Sequence, residues 1–193
     1  MGFQYTAGLP NRDRRLGFIT LEKKRHAMIN GIKWGTNIKD LPDMALVGAF
    51  GGGKRIYTRK GENKKIGDAD IEVVMYGFYK DRLEDMQIHF RSSANFEKLK
   101  EILYRVYGSG RQPIRSLETY HWYGNQTSIF LAYNKFLGKG AIGYTFMPIY
   151  KQEREDRKLA QEKYTEMVGY FKNLKKYAPK LVGRWEREGE GSS

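Results

Sequence analysis

The run SANFEKLKEILYRVYGSG at residues 93–110, followed by LETYHWY at 117–123, TSIFLAYNKF at 127–136 and AIGYTFM at 141–147, decides how this chain folds. Phe96, Leu99, Ile102, Leu103 and Val106 recur at helical spacing behind a Ser93 or Asn95 cap, and Gly108 closes the helix. The three later runs mix aromatic and β-branched residues and are separated by Gly124-Asn125 and Gly138-Lys139-Gly140, as in consecutive hairpins. The segment therefore predicts one helix followed by an antiparallel meander that Pro148 ends.

Upstream, Gly35 to Phe90 follows the same plan. Thr36 is the expected N-cap of a short helix around Asn37 to Leu41, Pro42 breaks or restarts the turn, and Gly48 and Gly51-Gly52-Gly53 form an elbow. Lys54 to Arg59 reads as a strand, Gly61-Glu62-Asn63 as a turn, and Ala69 to Tyr79 as one long strand. In that strand Ala69, Ile71, Val73 and Met75 share a face opposite Asp68, Asp70 and Glu72. Lys80-Asp81-Arg82 then turns into a third strand that puts Met86, Ile88 and Phe90 in the core. A unit of this size cannot bury its strand face alone, so duplication argues for two packed α-β-β-β units.

The expected fold class is α+β: two tandem α-β-β-β units forming antiparallel sheets with helices on one face, plus a long C-terminal helix. The organisation reads as a basic segment with a possible edge strand at 1–30, units at 31–92 and 93–150, an amphipathic helix at 151–182 and a tail at 183–193. The C-terminal helix follows from Ala160, Tyr164, Met167, Phe171, Leu174 and Ala178, which alternate spacings of four and three.

The 193 residues are 40% hydrophobic and 14% aromatic, the composition of a chain that buries a core. No run approaches the ~18 apolar residues of a membrane-spanning helix, and no signal-type apolar segment opens the sequence. The absence of cysteine removes disulfides, thiolate nucleophiles and Cys-ligated metals together, and leaves the compartment open. The net charge of +13 is concentrated at the N-terminal end, where residues 1–65 carry 14 Lys or Arg against 5 Asp or Glu. Lys23, Lys24, Arg25, Lys54, Arg55, Arg59, Lys60, Lys64 and Lys65 form a candidate surface for phosphates or anionic lipid headgroups, each cation worth about 1 kcal/mol beside a charged membrane.

Catalytic motifs are incomplete. Gly48 to Lys54 has the spacing of a phosphate-binding loop, but Arg55 stands where a Mg²⁺-binding Ser or Thr is required, and a strand follows in place of a helix. Asp68, Asp70 and Glu72 are ~7 Å apart along a strand, too far for one cation, and better placed for cross-strand pairs with basic neighbours. His26, His89 and His121 are isolated in sequence, and no metal set, nucleophile elbow or zinc helix is present. Neither a cofactor nor a metal is therefore expected. Tyr120 and Trp122 on the second unit's sheet, with Tyr164, Met167, Phe171 and Leu174 on the helix, are the candidate partner-binding residues.

Asn30-Gly31-Ile32-Lys33-Trp34-Gly35-Thr36, Met75 to Tyr79, Arg82 to Phe90 and Tyr107-Gly108 resemble phrases of small bacterial envelope proteins and lipoproteins. Their tandem helix-plus-sheet units are similar to the β-lactamase-inhibitor-protein fold and to the small lipoprotein of the outer-membrane β-barrel assembly machinery. The resemblance implies a periplasmic or envelope setting, should a leader precede this sequence, and a sheet face that binds a protein partner or anionic lipid. It carries over no catalytic residue. The expected function is a non-enzymatic binding or assembly protein acting on a protein partner or a second copy, with nucleic-acid binding through the basic N-terminal third as the alternative.

Overall fold

Aromatic and β-branched residues at alternate positions direct eleven segments of the described residues into strands. In the computed structural model, which describes residues 28–177, a hairpin of β1 (Met28–Ile29) and β2 (Ile32–Lys33) precedes β3 (Met44–Phe50) and β4 (Lys54–Arg59). A second small hairpin, β5 (Lys65–Ile66) and β6 (Ala69–Asp70), leads to β7 (Val73–Tyr79) and β8 (Arg82–Arg91). Then come α1 (Ser93–Tyr107), β9 (Glu118–Tyr123), β10 (Thr127–Asn134), β11 (Lys139–Phe146) and α2 (Met147–Tyr177).

Seven strands form one antiparallel sheet in the order β3-β4-β7-β8-β11-β10-β9. The strands before and after α1 meet at β8 and β11, where Ile88 faces Ile142 and Met86 faces Tyr144 across the ladder. The expected α+β class, with antiparallel sheets and a long C-terminal helix, is the architecture found.

Helix α1 covers one face of this sheet. Ser92 caps it in place of Ser93 or Asn95, its hydroxyl accepting from the Asn95 amide at 3.3 Å, and Gly108 ends it at φ +77°. Phe96, Leu99, Ile102 and Leu103 are buried beneath it, each worth about 1.5–3 kcal/mol relative to exposure. Phe96 stacks on Tyr133 at 4.9 Å between ring centroids, and Tyr104 meets Tyr120 and Trp122 edge-on at 5.9 and 6.1 Å. The β5–β6 hairpin closes the side of this core with Ile66 and Ala69, held to the helix by the Asp70 amide donating to Asn95 Oδ1 at 3.1 Å.

The first repeat departs from its expected form in two places. Its helix is a single 3₁₀ turn, Ile38–Asp40, capped by Asn37 and not Thr36, and the stretch toward Gly48 becomes β3. Seven residues bounded by Pro42-Asp43 and Gly51 are too few for a stable helix but sufficient for an edge strand. The expected long strand from Ala69 to Tyr79 is interrupted at Ile71-Glu72: the Ile71 amide bonds the Lys64 carbonyl, and the Glu72 amide bonds that of His89. Serving two ladders shifts the alternation by one residue. Ala69 and Ile71 stay buried, but beyond the break Val74, Tyr76 and Phe78 enter the core in place of Val73 and Met75.

The chain divides into two compact units between Lys151 and Gln152. The second unit begins part-way along α2, and in it Leu159, Tyr164, Met167, Tyr170 and Phe171 are exposed.

Candidate binding surface

Strand pairing leaves the sheet with unequal edges. At one end the Arg111 amide and carbonyl exchange hydrogen bonds with His121, both at 2.9 Å, so part of β9 already has a partner. At the other end β3 pairs only with β4 among the described residues, and the edge strand expected near residues 16–21 lies outside them. Natural edge strands are usually blunted with charged residues, lysine above all, or with proline. None occurs between Met44 and Phe50. Leu46, Val47 and Phe50 are 58–60% exposed, and the edge is interrupted only by the register shift between Leu46 and Gly48.

Behind this edge lies a cavity of about 320 Å³ lined by Val47, Gly48, Phe50, Ile56, Met75, Asp85 and Gln87. Its polar end is built by a second irregularity. Gly77 pairs with Asp85 and Phe78 with Leu83, so Glu84 is the extra residue of a β-bulge. Both Glu84 and Asp85 thereby reach the Lys54 ammonium. Gly77 makes room for this arrangement, because a Cβ there would collide with the Asp85 carboxylate. Burial disfavours the charged lysine, but the carboxylates of Asp85 and Glu84 outweigh it and hold the Lys54 pKa above the ordinary value. Lys54 is thus committed inside the protein.

That commitment changes the expected basic surface. Arg55 pairs with Asp81 at 2.7 Å, Arg59 with Asp43 at 2.5 Å and Lys65 with Asp70 at 2.9 Å. Among the described residues Lys60 and Lys64 form no ion pair, while Lys23, Lys24 and Arg25 lie outside the described residues. Asp70 is the cross-strand partner of Lys65, and Glu72, in the break before β7, pairs with Arg91 of β8. No group of three or more His, Asp or Glu that could hold a metal occurs among the described residues.

The aromatic candidates also separate. Tyr120 and Trp122 are 8% and 7% exposed. Trp122 Nε1 donates to the Gly108 carbonyl at 2.9 Å and the Tyr120 hydroxyl donates to Glu118 at 2.7 Å. Both rings belong beneath α1, which removes them from any partner-binding face. Burial and the Glu118 contact push the Tyr120 pKa up, and the same hydroxyl, followed by Lys135, holds Glu118 below its ordinary value. On α2, by contrast, Tyr164, Met167 and Phe171 are 59%, 48% and 43% exposed. The Leu174 side chain lies outside the described residues. At 100° per residue Leu159, Tyr164, Met167, Tyr170 and Phe171 fall within one stripe of the helix. No helix among the described residues is long and apolar enough to cross a membrane.

Sequence reasoning missed the β3 edge and the Glu84–Asp85 bulge. The edge had a signal: a seven-residue apolar run between turn residues fits a strand as well as it fits a helix fragment. No protein-family model, curated protein or solved structure matches this chain. The resemblance to envelope proteins has no counterpart in these comparisons.

Proposed function

We propose that this chain is a non-enzymatic binding or assembly protein that accepts a protein partner as an added strand on the free edge of β3. The supporting observation is the uncharged edge itself, where Leu46, Val47 and Phe50 are more than half exposed. Strand addition draws affinity from main-chain hydrogen bonds and specificity from pockets that take alternate side chains. Beside β3, the cavity of Val47, Phe50, Ile56 and Met75 supplies such a pocket for an apolar side chain. The apolar stripe of α2 is a second docking element on the same reading.

A photo-crosslinking residue at position 46 tests the proposal. It is expected to capture a discrete protein in cells or extracts, and Val47→Lys is expected to abolish the adduct. Because Val47 is 59% exposed, that substitution should alter stability by no more than ~0.5 kcal/mol. An adduct unchanged by Val47→Lys, or obtained equally from position 123 on β9, would remove the edge from the proposal.

A further inference from the structure

On the sheet face opposite α1, one row of side chains runs across four strands: His89, Ala141, Ala132 and Thr119 stand opposite one another in successive ladders. Two alanines between larger neighbours leave a trough, and the cavity over them measures about 540 Å³, with Leu117 and Lys139 also on its walls. That volume is within the range of small-molecule sites. Two of its polar groups, on His89 and Lys139, are left over by the fold. His89 Nε2 is buried and meets no hydrogen-bond partner among the described residues, the kind of orphaned atom that native proteins rarely tolerate. Lys139 makes no ion pair among the described residues, whereas Lys135 is held by Glu118 at 3.0 Å. Asn134 Oδ1 accepts from the Phe136 and Leu137 amides, both at 3.0 Å, which fixes its side chain beside the cavity.

We propose that this trough binds a small amphiphilic carboxylate, its chain lying over Ala132 and Ala141 and its carboxylate placed between Lys139 and His89 Nε2. One unpaired cation and one orphaned ring nitrogen suit a singly charged oxygen acid better than a phosphate, which calls for a cluster of cations. The apolar floor demands a hydrocarbon portion. The trough is independent of the β3 edge, which lies at the far end of the sheet from β9.

The experiment uses the full chain and decanoate as probe, read by calorimetry and by the ¹³C shifts of the Ala132 and Ala141 methyls. Saturable one-to-one binding that moves both methyls is expected. Lys139→Gln should weaken it by ~10-fold, the worth of one charge-assisted hydrogen bond, and Ala141→Leu should eliminate it by filling the floor. Lys139 is exposed, so its substitution keeps the test valid even if Ala141→Leu disturbs folding. No saturable binding, equal affinity for decyltrimethylammonium, or an unchanged constant in Lys139→Gln would overturn the proposal.

Discussion

At the scale of single residues, the placement of charge governs what this protein exposes. Lys54 has the position of a phosphate-loop lysine in the sequence, yet the bulge at Glu84 turns two carboxylates onto it. Lys54→Met would remove the ammonium that the two buried carboxylates share, and a loss of about 3–5 kcal/mol in urea-monitored stability at neutral pH is expected. A loss below ~1 kcal/mol would show that the network is not needed for the fold. Since the folded-state pKa of Lys54 is raised, its stabilising contribution is complete below the ordinary value of 10.5 and is lost as pH rises through the folded value. Glu118 has the opposite sign. Its pKa is depressed by the Tyr120 hydroxyl and then by Lys135, so its contribution is present above the ordinary 4.5 and disappears as pH falls through the folded value. Glu118→Gln should therefore flatten the acid limb of the stability profile below pH ~4.5 while leaving the alkaline limb in place. An acid limb as steep as that of the parent protein would contradict this. The Lys54 network was not legible in the sequence, because a bulge is fixed by pairing across strands and leaves no local mark.

Elements were more legible wherever one local signal acted alone. Phe96, Leu99, Ile102 and Leu103 share the face of α1 that the spacing predicts, and the turns at Gly124 and Gly138 separate β9, β10 and β11 as expected. Reading failed where two signals competed. Pro42 and the glycine elbow suggested the end of a helix, but the apolar residues between them pair with β4 to form the sheet edge. The phase slip at Ile71-Glu72 arises from hydrogen bonds to Lys64 and His89, the second of them on another strand that period-2 alternation does not reach. Burial of Tyr120 and Trp122 was hidden for a similar reason, since period-2 alternation assigns residues to faces without saying which face a helix will cover. The stripe on α2 belongs to this scale too. Phe171→Asp, at a position 43% exposed, should reduce partner capture while changing stability by no more than ~0.5 kcal/mol. Undiminished capture would exclude the stripe as a docking element and leave β3 as the sole one.

For the whole molecule, the strands before and after α1 build one sheet between them. The β8–β11 ladder joins them into seven strands with α1 on one face, so the sheet is left with two edges, and β9 is partly occupied by Arg111. The free edge of β3 and the alanine trough then stand at different parts of one frame, each open to its own test. Receipt of a partner's backbone by β3 is read directly by amide hydrogen exchange in the captured complex. In the isolated protein, alternate amides of Met44–Phe50 point outward and should exchange rapidly. On binding they should become protected together, while the outer amides of β9 exchange as before. A complex that forms with unchanged exchange along β3 would contradict the account.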